Sequence, residues 1–140
     1  MTRPTVELTR TYHFSAGHRL ESPRLSPEEN DRVYGQCHRP HGHNYYVEVT
    51  VSGPPDPVTG MAVDLGVLDR TVAKVLLHRV DHRDLSAGVP ELAGVITTGE
   101  SLARAFWQLL APRVPALARV AVIETANNRF EYWGEEGGRG

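Results

Sequence analysis

Three histidines and one cysteine have the residue types and the spacing of a metal site. His41 and His43 are separated by one glycine, Cys37 comes four residues before His41, and His18 lies in an earlier strand-like segment. Side chains two apart in an extended strand point the same way, so His41 and His43 can direct two imidazoles at one point while His18 arrives from a neighbouring strand. Three nitrogen donors and an open position are typical of a catalytic zinc site.

The alternative explanation is that these rings are ordinary hydrogen-bonded interior groups. Alternation along the chain favours a metal, because His43 is in phase with Val47 and His18 is in phase with Phe14, so both histidines fall on predicted apolar strand faces. Ionisable rings on buried faces need partners. One cation held by neutral imidazoles would be a partner for all three rings.

Cys37, the single cysteine of the chain, has two possible roles. If the charged loop that contains Asp81 and His82 reaches it, an imidazole could hold the thiol as thiolate, which makes Cys37 a candidate general base. In the competing model Cys37 is a fourth ligand, and a Cys-His₃ shell would be closed and structural. Replacement of Cys37 by alanine separates the models, since the first keeps the metal and loses turnover whereas the second loses metal and stability.

Glu124 places a carboxylate at the end of an otherwise apolar strand face. One interpretation is that alternation breaks at the strand end and the side chain is solvated. The functional interpretation is a carboxylate that recognises a guanidine-like or amide edge, because polar groups of this kind fix orientation in small-molecule sites.

Composition favours one ordinary globular domain over residues 1–140, with a frayed tail at 134–140. The formal net charge is −2 and the basic residues form no cluster, which argues against a nucleic-acid partner and favours a small polar ligand. We expect no membrane span and no secretory signal, because no long apolar run occurs. The expected compartment is the cytoplasm, where a lone thiol stays reduced.

Hydrophobic periodicity and capping signals predict the order strand, strand, helix, helix, strand, strand. The predicted strands cover residues 6–16, 43–52, 117–125 and 129–133. A capping box at 26–29 predicts a short helical insertion before Cys37, Asp64 caps the first long helix, and Thr97 with Glu100 begins the second after a loop at 81–96. This order predicts an α+β fold with a four-stranded antiparallel sheet and two helices on one face. The open sheet edges favour self-association into a ring.

The sequence resembles the 6-pyruvoyl-tetrahydropterin synthase and 6-carboxytetrahydropterin synthase family over nearly its whole length. The matching segments are FSAGHRL at 14–20, CHRPHGHNY at 37–45, GMAVDL at 60–65, DH at 81–82, TGE at 98–100 and ET at 124–125. The resemblance implies the tunnelling fold (T-fold), in which subunits of two strand pairs and two helices close into a barrel. It also implies a homohexamer built from two trimers, with active sites between subunits.

The resemblance further implies a lyase that acts on 7,8-dihydroneopterin triphosphate. Zinc would hold the side-chain hydroxyls and acidify the adjacent C–H while Cys37 moves protons and triphosphate leaves. Arg19, Arg39 or Arg83 would meet the phosphates. The implied roles are zinc ligation by His18, His41 and His43, base catalysis by Cys37, proton relay by Asp81 and His82 of a neighbouring subunit, pterin anchoring by Glu124, and pocket lining by Thr98 and Glu100.

Two branches of the family differ in product. The four-residue step from Cys37 to His41 is similar to the 6-carboxytetrahydropterin synthases of the queuosine and deazapurine route, which release triphosphate and acetaldehyde. Residues 25–30 and 124–128 are instead similar to the pyruvoyl branch of biopterin synthesis. Because spacing beside the reactive thiol bears more directly on the chemistry, the carboxy product is the main expectation and the pyruvoyl product the alternative. Outside enzymes, the alternative is a zinc-binding assembly module without turnover.

Overall fold

A five-stranded sheet is the frame of this chain, which the computed structural model describes over residues 5–135. The strands are β1 (Val6–His18), β2 (His41–Gly53), β3 (Arg83–Asp84), β4 (Leu117–Thr125) and β5 (Asn128–Tyr132). They lie in the order β3-β1-β2-β4-β5. All neighbours are antiparallel except β3, which is parallel to β1.

The predicted four-stranded sheet therefore needs correction, because β3 adds a two-residue strand inside the segment that was predicted to be a loop. A strand this short has no alternation to detect. It forms because backbone hydrogen bonds join it to β1, from His82 N to Ser15 O at 2.6 Å and from Leu85 N to Gly17 O at 2.8 Å. The loop that carries Asp81 and His82 is thereby fixed to the end of β1.

The helices are α1 (Pro27–Tyr34), α2 (Leu65–Val72), α3 (His78–Val80) and α4 (Gly99–Leu110). A π-helical turn, Ala73–Leu77, connects α2 to α3, and 3₁₀ turns occupy Gly35–His38 and Pro90–Leu92. The capping box of α1 forms as predicted, with Ser26 and Glu29 bonding each other's backbone. Likewise, the Asp64 carboxylate accepts from Val67 N at the start of α2.

The predicted start of α4 at Thr97 is wrong by one residue. Thr98 is the N-cap, because its hydroxyl oxygen accepts a hydrogen bond from Ser101 N at 3.2 Å. The expected Thr97–Glu100 pairing therefore does not begin this helix. Thr97 is instead buried, with only 1% of its surface exposed.

One face of the sheet packs on the long helical segments and forms the core, as the alternation predicted. Side chains from alternate positions of β1, β2 and β4 meet the apolar stripes of the helices, and their burial supplies the main stabilisation. The largest contributors from the strands are Phe14, Tyr45, Val47, Val49, Val120 and Val122, and those from the helices are Leu68, Val72, Leu76, Leu102, Phe106 and Leu110.

The other face of the sheet carries a charged network. Arg119 lies 2.8 Å from Glu48 and 2.7 Å from Glu131, and Arg129 pairs with both carboxylates. The Arg119 Nε also donates to the hydroxyl of Thr50 at 3.2 Å. This network ties β2, β4 and β5 together across three strands.

Two further expectations concern the C-terminal tail and membrane-spanning helices. Of the tail expected at 134–140, residues 136–140 lie outside the described residues, and Glu135 forms an ion pair with Arg104 at 3.0 Å. Within residues 5–135, no helix has both the length and the apolar character that crossing a bilayer would demand.

Close packing of Phe130 over Gly99 gives a testable prediction. A Cβ at Gly99 would lie 2.0 Å from Cδ2 of Phe130, so we expect Gly99→Ala to lower the free energy of unfolding by about 1–3 kcal/mol. Chemical denaturation measures this change. Gly66→Ala is the matched control in the first turn of α2, because its Cβ would meet only the ends of Asp64 and Arg70 side chains at 3.3 Å. Equal losses in both variants would contradict the packing explanation.

Candidate metal centre and active site

Pairing between β1 and β2 brings three imidazoles together. His18 lies opposite His41 in the antiparallel register, and Ala16 lies opposite His43. The ring centroids of His18 and His41 are 4.5 Å apart, and those of His41 and His43 are 4.8 Å apart. One nitrogen of each ring lies within 4.8 Å of the others, so the three side chains form a group that could hold a metal ion.

Backbone carbonyls fix the orientation of two of these rings. Nδ1 of His18 lies 3.0 Å from the carbonyl oxygen of Thr97, and Nδ1 of His41 lies 2.6 Å from that of Arg39. Since a carbonyl only accepts, each Nδ1 carries the proton and each Nε2 is the unprotonated nitrogen with the lone pair. Histidines that bind a metal through one ring nitrogen almost always donate a hydrogen bond from the other.

His43 supplies the test of whether the residues fit a cation. Its Nε2 is buried and, within residues 5–135, has no hydrogen-bond partner. A buried polar atom without a partner is rare, because its lost hydration is not replaced. A cation coordinated by this nitrogen would remove the deficit, so the donor set and its burial fit a metal ion.

The environment of the cluster favours the neutral form of two of its rings, those of His18 and His43. Burial, followed by repulsion from His41 and His43, lowers the pKa of His18 to about 4. Burial also lowers the pKa of His43, although the nearby Glu124 carboxylate acts in the opposite direction. Neutral imidazole is the form that coordinates metals, so the site is ready to bind at neutral pH.

Glu124 joins the cluster from β4. Its Oε2 lies 4.0 Å from Nε2 of His18, and its side chain is only 18% exposed. The register between β4 and β5 shifts between Ile123 and Thr125, so Glu124 sits at an irregularity, where strands re-aim side chains. The structure thus brings this carboxylate beside the three imidazoles and does not leave it fully solvated.

Cys37 lies in the 3₁₀ turn before β2 and is exposed. Among the described residues, the group of potential ligands contains the three histidines without the sulfur, which differs from the closed Cys-His₃ model. The carbonyl of Cys37 accepts from Leu20 N at 2.8 Å, which ties the turn to the segment after β1. Within residues 5–135, the thiol has no hydrogen bond to Asp81 or His82.

Asp81 and His82 form a pair at the parallel β3–β1 contact. Oδ1 of Asp81 lies 3.0 Å from Nδ1 of His82 and accepts from Ser15 N at 3.0 Å. The backbone hydrogen bond from Ser15 is the main cause that lowers the pKa of Asp81. His82 has φ 59°, the one positive φ among described non-glycine residues, and its ring is 82% exposed. Such backbone strain is common at functional sites.

The side chains of the other predicted residues have no hydrogen bond or ion pair with the three imidazoles within residues 5–135. In the described part of the chain, neither Thr98, which caps α4, nor the exposed Glu100 has a hydrogen bond or ion pair with the three imidazoles. Of the predicted phosphate contacts, Arg19 is bonded to Glu21 at 2.6 Å, and Arg39 and Arg83 are exposed.

Sequence reasoning missed two neighbours of His18. Thr97 provides the carbonyl at Nδ1, and the Tyr45 hydroxyl lies 3.3 Å from Nε2. Burial, together with the Glu124 charge, raises the pKa of Tyr45, so its hydroxyl stays protonated at neutral pH. The alternation that placed His43 on the apolar face also includes Tyr45, whereas Thr97 was predicted only to begin a helix and not to contact His18.

Comparison with known proteins identifies the family. The profile described as 6-pyruvoyl tetrahydropterin synthase matches residues 7–135. The chain belongs to this family of lyases. The 6-pyruvoyl tetrahydrobiopterin synthase of Poecilia reticulata is 46% identical over 132 residues, which cover 91% of this chain and 90% of that protein. The structure of Caenorhabditis elegans 6-pyruvoyl tetrahydropterin synthase matches with a TM-score of 0.91 and 37% identity, covering 96% of this chain and 100% of that one.

A relative from the other branch is less similar. The 6-carboxy-5,6,7,8-tetrahydropterin synthase of Bacillus subtilis is 31% identical over 140 residues, which cover 96% of this chain and 89% of that protein. Both proteins named as pyruvoyl synthases exceed this identity. Similarity over the whole chain therefore favours the pyruvoyl alternative over the carboxy product that the Cys37–His41 spacing suggested.

The geometry of the cluster predicts how metal binding responds to mutation. We expect one divalent ion per chain, and His43→Ala should weaken binding by more than about 100-fold, because loss of outer partners alone costs roughly 10–100-fold. Titration with Co²⁺, followed by visible spectroscopy and a chelator competition, measures the affinity. Cys37→Ala is the matched comparison and should retain the ion with an unchanged spectrum. A thiolate-to-metal band that Cys37→Ala abolishes would contradict the three-imidazole site.

Proposed function

We propose that this protein is a zinc-dependent 6-pyruvoyl-tetrahydropterin synthase, which eliminates triphosphate from 7,8-dihydroneopterin triphosphate. The observation that carries the proposal is the convergence of three imidazoles with a carboxylate 4.0 Å from one of them. The whole-chain similarity to proteins named as pyruvoyl synthases supports this branch. The second candidate is the carboxy product, which the spacing from Cys37 to His41 suggested and which the Bacillus subtilis relative supports.

His18, His41 and His43 would hold the zinc ion. Zinc suits a set of three imidazole nitrogens, and when bound it would supply Lewis acidity toward the side-chain hydroxyls of the substrate. The carbonyls of Thr97 and Arg39 keep Nε2 of two rings available for it. Burial of His18, with 3% of its surface exposed, excludes water from one side of the site.

Glu124 would anchor the pterin ring. An ionised carboxylate accepts two hydrogen bonds side by side, which matches the adjacent N–H donors of an aminopyrimidinone edge. Its position beside His18 supports this role, because a ring bound there would extend its side chain toward the imidazoles. Thr98 and Glu100 would line the same pocket with a smaller contribution.

Cys37 would move the protons, with Asp81 and His82 as its relay. Within residues 5–135 of one chain, no hydrogen bond joins the thiol to Asp81 or His82, and the His82 ring is largely open to solvent. We therefore propose that Asp81 and His82 of one subunit approach Cys37 of the next. Deprotonation of the thiol would make it a base, because the thiolate is the form that accepts a proton.

A homohexamer of two trimers would supply that neighbour through barrel closure. The sheet has edges that support it, since β3 covers β1 only at Ala16 and Gly17 and β5 forms the other edge. Unpaired strand edges of this length favour pairing with another chain. A single free cysteine suits a reducing compartment, and we propose the cytoplasm.

The product of the reaction is the first test of the function. The zinc-loaded protein is incubated with 7,8-dihydroneopterin triphosphate, and the products are identified by mass spectrometry. We expect 6-pyruvoyl tetrahydropterin and triphosphate. Acetaldehyde with 6-carboxytetrahydropterin would move the protein to the other branch, and no consumption of substrate would favour the non-catalytic zinc-binding module.

The role of Glu124 is tested by Glu124→Gln, which keeps the shape and removes the charge. We expect kcat/KM to fall by roughly 10- to 100-fold, mainly through KM, because hydrogen bonds to charged groups contribute about 1.5–3 kcal/mol. Steady-state kinetics with zinc-loaded protein measures this. Glu28→Gln in the first turn of α1 is the matched control and should behave as wild type. An unchanged KM for Glu124→Gln would remove the anchoring role.

A further inference from the structure

A shielded imidazole lies next to Cys37, and the proposed mechanism does not use it. His38 belongs to the exposed 3₁₀ turn, yet its side chain is only 13% exposed. Its Nδ1 lies 2.6 Å from Oδ1 of Asp31, and its Nε2 lies 2.9 Å from Nη2 of Arg19. Because both ring nitrogens have partners from different segments, the ring holds one orientation.

The hydrogen bonds of His38 define which atoms donate. The carboxylate of Asp31 accepts, so Nδ1 carries a proton, and Nε2 of the neutral ring accepts from the Arg19 guanidinium. If the ring were protonated, Nε2 would donate to Oε1 of Glu21, which lies 3.4 Å away. The ring therefore stays bound to the same group of side chains in either protonation state.

The hydrogen bonds of His38 connect the end of β1, which carries His18, to the turn that carries Cys37. Arg19 directly follows the metal-site residue His18 in the chain, and His38 directly follows Cys37. The contact between Arg19 and His38 thus joins the end of β1 to the turn that carries the thiol. A second hydrogen bond joins the same two segments, since Leu20 N donates to the carbonyl of Cys37 at 2.8 Å.

We propose that His38 is a positioning residue that sets where the Cys37 thiol stands relative to the three imidazoles. This inference rests on the proposed function, because it assumes that Cys37 moves protons there. His38 acts through the backbone of its neighbour. Placement of a reacting group matters strongly, since an error of about 1 Å can cost on the order of 100-fold in rate.

The test compares His38→Ala with His38→Gln. Alanine removes both hydrogen bonds, whereas the Oε1 of glutamine can still accept from Arg19. The exposed His78 in α3 provides the control variant His78→Ala. Four quantities are measured for each protein: the melting temperature, the zinc affinity, the rate of Cys37 alkylation by iodoacetamide as a function of pH, and kcat with KM. Alkylation reports on one site, because the chain has a single cysteine.

For His38→Ala we expect kcat to fall by about tenfold or more, with KM and zinc affinity within about threefold of wild type. The alkylation profile should shift along the pH axis or change in rate, since the environment of the thiol changes. His38→Gln should recover most of the loss in kcat, and His78→Ala should match wild type in all four measurements.

Three results would overturn the proposal. The first is an unchanged alkylation profile and kcat in His38→Ala. The second is a loss of kcat that follows only the fraction unfolded, and the third is a glutamine variant as impaired as the alanine variant. A wild-type protein that does not consume the substrate would count against the proposed function, whereas the alkylation comparison alone would still decide whether His38 positions the thiol.

Discussion

The antiparallel register between β1 and β2 is the constraint on which the candidate site depends. It places His18 opposite His41 and Ala16 opposite His43, so that three rings converge on the core side of the sheet. A slip of one residue would turn every side chain of β2 to the other face and separate the imidazoles. The apolar alternation of both strands resists such a slip, because it would expose Tyr45 and the valines that follow.

The same packing that fixes the register also prepares the rings chemically. The segment before α4 closes over the end of β1 and brings the Thr97 carbonyl to Nδ1 of His18, while burial lowers the pKa of that ring. Both effects keep Nε2 unprotonated, one by fixing the tautomer and the other by disfavouring the charged form. A hydrophobic core and a metal-binding donor set are therefore produced by one arrangement, and neither needs a separate structural element.

The histidine cluster was predictable because strand alternation has a fixed period of two, which places His41 and His43 on one face from the sequence alone. The same holds for Glu124 at the end of β4. Contacts that depend on loops were not predictable in this way. β3 is too short to have a period, Thr97 acts through a backbone carbonyl that every residue type has, and the bond from His38 to Arg19 joins segments with no shared pattern.

The three imidazoles and the groups that we propose to move protons lie in different parts of the sheet, and this separation has a physical reason. The candidate ligands lie on strands that many backbone hydrogen bonds hold in place, and one chain brings the three imidazoles together. The groups that we propose to move protons lie instead at the rim of the sheet, on the turn of Cys37 and at His82, whose φ is positive. Under the proposed function, a site assembled between copies would bind its metal in each subunit and gain turnover on assembly. Strain at His82 is tolerated because backbone hydrogen bonds to β1 hold the loop at His82 itself and at Leu85.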